Sequence, residues 1–334
     1  MDPTETAEIG STGLRVTRLG VGGVGLAGGS SQGTIPPTPE EDALAIVRRS
    51  LEVGLRYFDT APQYGRGVSE RRLGSVLSTL PRSELVVSTK VGRVLDPAPA
   101  ERVGSIPGPG PQDLESVFDF SYDGAMRSVE ESLQRMGLDR VDILLIHDPD
   151  DHYDQALEGA YRALAELRSQ GVISALGAGM NQWEMEARFA READFDCFLL
   201  AGRYTLIDHS ALEELLPLCQ EKGMSVIIGG PYNSGILASD LQEGATFNYV
   251  PAQPEVLQRA RRCRAVCDRH GVPLKAASLQ FVLAHPAVAS VIPGPRSAAE
   301  AEENFRMVEH PIPAALWEEM RGEGLIPPEA PTPG

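Results

Sequence analysis

A regular alternation of short β-branched segments with longer amphipathic segments constrains this sequence more than any other feature. The short segments are predicted as eight strands: TRLGVGG, LRYFDT, ELVVSTK, VDILLIH, VISALGAG, FDCFLL, MSVIIGG and VASVIPG. Amphipathic stretches such as EEDALAIVRRSLEVG lie between them, and most end at a glycine, as helices commonly do. Strands that alternate with helices predict a parallel sheet with crossover helices.

Two common architectures contain such a sheet, and the glycine pattern separates them. An open sheet that binds a dinucleotide carries G-x-G-x-x-G directly after its first strand. Here the segment GVGGVGLAGG is rich in glycine, but its glycines overlap the first predicted strand, TRLGVGG, instead of following it and opening a helix, so the signal is weak. We therefore predict a (β/α)8 TIM barrel with long loops at its C-terminal face. It is expected to form a single domain over residues 1–334, with the core in 8–322 and a frayed tail at 323–334.

The charge balance narrows the possible partners and location. The chain has 47 acidic and 30 basic residues, a formal net charge of −17. This disfavours nucleic acids and anionic membrane surfaces, which attract basic patches. The segment MDPTETAEIG is unlike a signal peptide, and no apolar run approaches the ~18 residues of a membrane span. We expect a cytoplasmic protein.

The cysteines indicate neither a disulfide framework nor a metal site. Cys197, Cys219, Cys263 and Cys267 are too few and too scattered for the former. Cys263 and Cys267 stand four residues apart on a predicted helix, but no further ligands lie near them in sequence. We expect reduced thiols and no metal.

Two stretches interrupt the alternation of strands and helices. Residues 95–116, rich in proline and glycine, follow the third predicted strand, and residues 230–252 follow the seventh. Both would leave the C-terminal ends of their strands, the face where barrels place their active sites. Long loops without secondary structure are usually functional or disordered. We favour substrate lids over idle insertions.

Ionisable residues end three consecutive predicted strands. Asp59 ends the second strand, Lys90 the third and His147 the fourth, and Tyr64 follows in the loop after Asp59. Each has an ordinary explanation when taken alone: a carboxylate that caps a helix, an exposed lysine, a histidine bonded to backbone. Three such strand ends in succession are unusual for apolar strands, and they predict one polar site at the rim of the barrel.

The segments that carry these residues resemble a known family. YFDTAPQYG, STKVG and LLIHDPD are similar to the signature segments of the aldo-keto reductase superfamily, and the resemblance covers nearly the whole chain. Within the superfamily, FDFSYDGAMRSVEESLQRMGLDRVDILLIHDPD and LAGRYTLID resemble the bacterial D-threo-aldose 1-dehydrogenase group, which includes L-fucose, L-galactose and pyridoxal 4-dehydrogenases.

The resemblance implies an oxidoreductase that transfers hydride between a nicotinamide and a carbonyl or alcohol. Tyr64 would be the acid–base group, and Lys90 would lower the pKa of its phenol, normally about 10. Asp59 would hold Lys90 charged and oriented. His147 would donate a hydrogen bond to the substrate oxygen. Tyr64, His147 and Trp183 are the predicted substrate contacts.

The same resemblance predicts where the cofactor binds. The expected contacts are Gly22, Gly23, Asp59, Asn181, Gly229, Pro293, Gly294, Arg296, Glu300, Glu303 and Asn304.

Several positions depart from the family pattern around the nicotinamide. Met180 stands where many relatives have serine, Ala201 where they have glutamine, and Gly229 where they have an aromatic residue. Tyr232 would supply the lost stacking surface or merely pack the loop.

The adenine end of the cofactor site indicates a preference for NAD over NADP. NADP-preferring relatives often place a lysine and an arginine where this chain has Gly294 and Glu300. A 2′-phosphate would lose both cations and meet a carboxylate, which repels it. Arg296 is the residue that could reverse the preference.

The expected partner is a small-molecule substrate, bound by a monomer or homodimer. The acidic segment HDPDDHYD, which begins at His147, is interpreted either as a solvated turn or as a set of carboxylates that accept hydrogen bonds from sugar hydroxyls. Trp183 could stack on a sugar face or pack in the core. The leading hypothesis is oxidation of an aldose, similar to L-fucose or L-galactose, to its lactone. The alternatives are an aldehyde or ketone reductase in biosynthesis or detoxification, and a cofactor-binding regulatory subunit.

Overall fold

The strands of the computed structural model divide into a central barrel and three small hairpins. The structure describes residues 1–28 and 37–334. Its strands are β1 (Thr6–Glu8), β2 (Arg15–Thr17), β3 (Val21–Gly22), β4 (Tyr57–Asp59), β5 (Val86–Val91), β6 (Arg93–Pro97), β7 (Leu114–Phe118), β8 (Ile143–His147), β9 (Ala175–Met180), β10 (Cys197–Ala201), β11 (Ser225–Gly229), β12 (Thr246–Phe247), β13 (Val250–Pro251) and β14 (Val288–Ile292).

Eight of these strands form the predicted barrel. The order of parallel neighbours is β3, β4, β5, β8, β9, β10, β11 and β14, and each lies within or overlaps one of the eight predicted segments. The ring closes through a parallel bridge between Leu19 and Val291, where Gly20 N–H donates to the Val291 carbonyl at 2.9 Å. The TIM-barrel prediction is confirmed.

Helices cover the outside of the barrel and connect its strands. They are α1 (Val24–Ala27), α2 (Glu40–Glu52), α3 (Val68–Leu77), α4 (Tyr122–Met136), α5 (Tyr153–Gln155), α6 (Tyr161–Ser169), α7 (Trp183–Glu192), α8 (Leu215–Lys222), α9 (Pro254–Arg269), α10 (Leu274–Leu283), α11 (Ala298–Glu309) and α12 (Ala314–Gly322). A π-helical turn, Ala156–Ala160, joins α5 to α6, and short 3₁₀ turns lie at Arg82–Glu84 and Ile236–Ala238. Within the described residues, none of the helices is long and apolar enough to cross a lipid bilayer.

Strand periodicity builds two cores. Successive side chains of a strand point to opposite faces, so one set fills the barrel and the other packs under the helices. Tyr57, Leu145, Leu199 and Ile227 belong to the inner cluster, which is the smaller of the two. The larger cluster lies between the barrel and its helices. Because both faces are buried, the barrel strands read as nearly continuous apolar runs.

A hairpin closes the N-terminal end of the barrel. Strands β1 and β2 pair antiparallel, and Ile9 between them is buried in the inner cluster. The Gly10 N–H donates to Ser225 Oγ at 2.8 Å, and Ser225 Oγ donates to the Glu8 carbonyl at 3.0 Å. These contacts tie the hairpin to the start of β11, and they leave the opposite end for the polar strand ends.

Three segments differ from the expectations for loops and tail. The interruption at 95–116 is bounded by β6 and β7, which pair antiparallel from Arg93 opposite Phe118 to Pro97 opposite Leu114. The interruption at 230–252 contains a 3₁₀ turn and the β12–β13 hairpin. The tail is docked rather than frayed: Leu325, Ile326 and Ala330 are buried, and Arg321 donates to the Ala330 carbonyl at 3.0 Å.

Candidate active site

A buried ion pair lies at the C-terminal end of β4 and β5. Lys90 Nζ is 2.7 Å from Asp59 Oδ2, and both side chains are at most 2% exposed. The same ammonium donates to the Thr60 carbonyl at 2.9 Å, and Ser88 Oγ donates to Asp59 Oδ1 at 2.7 Å. Breaking a buried pair of this kind by removing one partner typically costs about 3–5 kcal/mol. The arrangement therefore fixes the position of the ammonium.

The pair keeps Lys90 in its charged form. Burial alone would lower the pKa of Lys90, but the carboxylate of Asp59 and the phenol of Tyr64 outweigh it and raise that pKa above its usual value. The ammonium also lies 4.7 Å from the centroid of the Tyr64 ring. Asp59, Lys90 and Tyr64, predicted from three separate segments, thus stand together.

Tyr64 corrects one expectation. It lies partly exposed in the wall of a cleft, and burial raises the pKa of its phenol to about 12, with Lys90 as the largest opposing influence. The sequence predicted a lowered pKa. Lys90 acts in the expected direction, but the loss of solvent around the phenol outweighs it. Tyr64 is therefore a neutral phenol at physiological pH.

His147 completes the predicted group. Its ring meets that of Tyr64 edge to face, with the centroids 5.8 Å apart. Burial, followed by the charges of Lys90 and Arg93, holds the pKa of His147 well below its usual value, so the imidazole is neutral. Its Nδ1 atom is buried and has no hydrogen-bond partner among the described residues. A neutral imidazole can donate one hydrogen bond without itself carrying charge.

Three of these four side chains, those of Tyr64, Lys90 and His147, line a cleft of about 560 Å³. Its lining also includes the strand ends of β9 and β10, residues of α1 and β7, and parts of the segments 63–66 and 102–109. Lys90, Tyr64 and His147 line it together with Asp148, Asn181 and Tyr249. Sequence reasoning named four of these six residues individually. Asp148 was considered only as part of the acidic segment, and Tyr249 was missed because no motif marks it.

Arg66 fixes one wall of the cleft, and no sequence signal pointed to it. Its buried guanidinium donates to four carbonyls of the segment 107–111, those of Pro107, Gly108, Gly110 and Pro111, at 2.8–3.3 Å.

The backbones of Gly65 and Gly110 also lie in close contact beside Arg66. A Cβ on Gly110 would lie 2.0 Å from the Gly65 carbonyl oxygen, and Gly110 has φ +105°. The segment 107–111 is thus held directly against the residue next to Tyr64, as a fixed wall. Only glycine allows the two backbones to approach so closely.

Some of the predicted nicotinamide contacts line the cleft, and others do not. Asn181 lines the cleft, and its Nδ2 donates to the Ala201 carbonyl at 2.7 Å, so its amide oxygen takes no part in this bond. Met180 and Ala201, two of the departures from the family pattern, form part of the floor.

The glycines predicted to touch the cofactor serve close packing. A Cβ on Gly22 would lie 2.8 Å from the Ile292 carbonyl oxygen, and one on Gly23 would lie 2.5 Å from that of Asp59. A Cβ on Gly229 would lie 2.9 Å from Leu199 Cδ2. None of the three is among the residues that line the cleft in the described part of the chain.

The segment predicted to hold the adenine end caps α11. Pro293 is buried and Gly294 is exposed after β14. The backbone N–H of Arg296 donates to Glu300 Oε2 at 2.8 Å, and its guanidinium lies 3.4 Å from Glu300 Oε1. The carboxylate of Glu303 pairs with Lys275 Nζ at 2.7 Å.

Asn304 and Tyr232 form a contact that sequence reasoning did not foresee. Asn304 is buried and accepts a hydrogen bond from Tyr232 OH at 2.8 Å. Both therefore serve loop packing in this structure, one of the two alternatives considered for Tyr232. Trp183 packs against the larger core and does not line the described cleft, which favours its core-packing alternative.

Comparison with known proteins places the chain in a family. The model of the Aldo/keto reductase family matches residues 18–322. Pyridoxal 4-dehydrogenase of Microbacterium luteolum is 40% identical over 97% of this chain and 98% of its own. D-threo-aldose 1-dehydrogenase of a Pseudomonas species is 38% identical over 98% of this chain and 99% of its own. L-galactose dehydrogenase of Arabidopsis thaliana is 32% identical over 92% of this chain and 89% of its own.

A solved structure agrees with this assignment. The holo form of the aldo-keto reductase AKR11C1 from Bacillus halodurans superposes with a TM-score of 0.75, 26% identity and 96% coverage of both chains. The chain belongs to the aldo-keto reductase family. It is an oxidoreductase that acts on sugar or aldehyde substrates with a nicotinamide cofactor, so the regulatory-subunit alternative is set aside.

The cleft fits a nicotinamide. Gly179 lies in its floor, where a Cβ would lie 3.4 Å from Leu199 Cβ and 3.6 Å from Lys90 Cε, so the glycine keeps the floor low beside the ammonium. The imidazole of His147 and the amide of Asn181 supply polar groups in the lining near this floor.

Proposed function

We propose that this enzyme oxidises the anomeric hydroxyl of a cyclic hemiacetal, an aldopyranose similar to L-fucose or L-galactose, to the lactone. The observation that carries the proposal is the cluster of Tyr64, Lys90 and His147 in a cleft that also contains Asp148. A cleft with several charged and polar groups suits a substrate with many hydroxyls. The names of the relatives, which include an aldose and an L-galactose dehydrogenase, support the same substrate class.

The residues of this chain would act on the proton and on the developing carbonyl. Bound NAD supplies the hydride acceptor. Tyr64, after releasing its own proton to solvent, would take the proton of the anomeric hydroxyl while the anomeric C–H bond breaks with loss of hydride and the lactone carbonyl forms. Lys90 stabilises the phenolate, since an adjacent ammonium favours the charged form. His147, neutral, donates a hydrogen bond to the reacting oxygen and fixes its position.

Reduction of an aldehyde or ketone, in biosynthesis or detoxification, is the second candidate. The specific observation in its favour is the protonation of Tyr64, because a phenol with pKa about 12 is ready to donate a proton at neutral pH. Pyridoxal is a further candidate for either direction, given the pyridoxal 4-dehydrogenase relative.

Rates in both directions test the proposal. L-fucose, L-galactose and pyridoxal would be oxidised with NAD, and simple aldehydes reduced with NADH, with the absorbance of the reduced cofactor as the readout. We expect kcat/KM for an L-aldose to exceed that for any simple aldehyde. A marked preference for simple aldehydes supports the second candidate instead.

We also propose that NAD is preferred over NADP. Two cations near the start of α11 are paired with carboxylates, Arg296 with Glu300 at 3.4 Å and Lys275 with Glu303 at 2.7 Å, which makes each less available to a 2′-phosphate. Glu300 would accept a hydrogen bond from the free ribose hydroxyl of NAD, as acidic residues do in other dinucleotide sites. Repulsion between the phosphate and an exposed carboxylate would add roughly 1 kcal/mol, after solvent screening.

The cofactor proposal is tested by kcat/KM for both cofactors. The wild type is expected to favour NAD by roughly tenfold, which corresponds to about 1.4 kcal/mol. Glu300→Arg should narrow or reverse that ratio, and Arg296→Ala should leave it unchanged or widen it. A wild type that favours NADP, with the preference lost in Arg296→Ala, contradicts the reading of this segment.

From the sequence we further propose a cytoplasmic enzyme that acts as a monomer or homodimer. Light scattering after size exclusion measures the assembly directly, and a larger species would contradict this part of the proposal.

A further inference from the structure

Asp148 occupies a strained position beside the reacting groups. It directly follows His147, lines the cleft and has φ +45°, a conformation uncommon for residues other than glycine. Its backbone N–H donates to the Gly179 carbonyl at 3.1 Å, which fixes the turn. Such conformations cost of order 1 kcal/mol or more and concentrate at functional sites. A glycine would fit this turn more easily, so the carboxylate itself calls for an explanation.

Arg93 holds the carboxylate in place. The guanidinium Nη2 lies 2.8 Å from Asp148 Oδ2, and the guanidinium stacks over the Phe118 ring at 4.5 Å. Asp148 is about one-quarter exposed, at 27% of its side chain. Its second oxygen, Oδ1, accepts no hydrogen bond from any described residue. One oxygen is thus occupied by the arginine, and the other is available.

The carboxylate that carries the available oxygen lies next to the predicted donor. Its arginine-bound oxygen, Asp148 Oδ2, is 3.7 Å from His147 Nε2, so the carboxylate and the imidazole stand side by side in the cleft. An acceptor beside a donor matches a substrate with two neighbouring oxygens: one at the reacting carbon and a hydroxyl on the carbon next to it. A simple aldehyde presents only the first.

The other acids of this segment do not share that position. Asp150, Asp151 and Asp154 line a separate open hollow together with His152 and Arg188. The general suggestion that this acidic segment binds sugar hydroxyls therefore narrows to one residue.

We propose that Asp148 accepts a hydrogen bond from the hydroxyl on the carbon adjacent to the reacting carbon. The preferred substrate class is accordingly an α-hydroxy aldehyde or its cyclic hemiacetal. For the sugar itself, this inference rests on the proposed function, but the recognition of an α-hydroxyl applies to reduction as well. A site that bonds a hydroxyl disfavours the analogue that lacks it, because a polar group of the site, partly withdrawn from water, then loses its partner.

The experiment compares matched substrates that differ in this hydroxyl. L-fucose and 2-deoxy-L-fucose form the oxidative pair, and glyceraldehyde and propanal form the reductive pair. The enzymes are the wild type, Asp148→Asn and, as the matched control, Asp150→Asn. Asparagine is chosen because, like aspartate, it tolerates positive φ, and because it keeps the shape of the side chain while it removes the charge and replaces one acceptor oxygen by an amide donor.

The wild type is expected to prefer the hydroxylated member of each pair by at least about tenfold, the smaller end for a hydrogen bond to a charged group. Asp148→Asn should lose most of that preference through a lower kcat/KM for the hydroxylated member, with the deoxy member nearly unchanged. Asp150→Asn should behave as the wild type.

Failure of this proposal and failure of the proposed function give different results. If the wild type oxidises no aldose, the proposed function fails, but the ratio for glyceraldehyde over propanal still tests Asp148. If Asp148→Asn lowers kcat/KM by the same factor for both members of a pair, the carboxylate only shapes the loop, and the proposal is overturned. A wild type that lacks the preference, or turns over neither member of either pair, overturns it equally.

Discussion

The strand-end cluster and the loops above it hold their side chains in different ways. Asp59, Lys90 and His147 sit on barrel strands, are at most 6% exposed, and inherit their separation from the spacing of neighbouring strands. The wall at 107–111 lies in a loop between β6 and β7 and is held mainly by the guanidinium of Arg66 and one close backbone contact. The barrel as a whole thus positions the catalytic side chains, whereas a few local contacts determine the shape of the substrate cleft.

This difference predicts what mutations will do. A change in the cluster should act on the chemical step for every substrate. A change in the wall should act on how substrates bind and on which substrates are accepted, and leave the chemical step nearly intact. Three substitutions test the contrast, in order of decreasing expected effect.

The largest effect is expected from Tyr64→Phe. Removing the phenolic oxygen deletes the proposed proton donor and acceptor, so kcat should fall by at least about 10²-fold in both directions, the lower end for general acid–base catalysis. Cofactor affinity, measured by fluorescence titration, should change little. Near-normal turnover by the folded variant removes Tyr64 from the mechanism.

Lys90→Met is expected to cost nearly as much, with a pH signature. Because Lys90 lowers the pKa of Tyr64, its loss raises that pKa further above about 12, and residual oxidation should rise toward higher pH. The readout is the pH profile of kcat. A profile with the wild-type shape contradicts the coupling of the ammonium to the phenol.

The buried carboxylate complicates Lys90→Met, and a double variant resolves this. Asp59 would be left as an unpaired buried charge, at a cost of about 3–5 kcal/mol in the free energy of unfolding. Asp59→Asn combined with Lys90→Met should restore much of the stability but none of the activity. Lys222→Met, which removes an exposed lysine at the end of α8, is the matched control.

The smallest of the three effects is expected from Arg66→Met. The loss of four hydrogen bonds frees the segment 107–111, so KM should rise by about tenfold or the order of substrate preference should change, with kcat within about threefold of the wild type. Arg66→Lys keeps the charge but not the fork of donors, and should recover only part of the affinity.

Arg102→Met is the control for the wall. Arg102 also lines the cleft, but it is about half exposed and pairs with Glu115 at 2.5 Å, so little change is expected. If Arg66→Met lowers the melting temperature while KM, kcat and substrate order stay at wild-type values, the arginine serves stability alone.

The sequence predicted the cluster because its signals are local. Asp59, Lys90 and His147 each end a strand that hydrophobic runs reveal, and parallel strands carry their ends to the same rim. The eight barrel strands were located for the same reason. The role of Arg66 could not be predicted in this way, because its partners lie more than 40 residues further along the chain and are backbone carbonyls, which any residue type provides.

Two expectations that the structure corrects, the lowered pKa of Tyr64 and the frayed tail, failed for a similar reason. The pKa of Tyr64 depends on how much solvent the surrounding loops exclude, a quantity that no motif encodes. The tail was expected to fray because it is rich in proline, yet Leu325 and Ile326 are buried once the helices provide a surface for them. Both the pKa of Tyr64 and the burial of the tail depend on contacts with other parts of the fold, which the composition of the segment itself does not reveal.

The β1–β2 hairpin covers the N-terminal end of the barrel. With β1 and β2 anchored to β11 through Ser225 and with Ile9 filling the bottom of the inner core, that end offers no passage. Reactants, products and cofactor must all use the mouth at the other end. A shortened chain that starts beyond Thr17 would lose this cover and expose apolar side chains of the inner cluster to water, so we expect it to be less stable than the full chain.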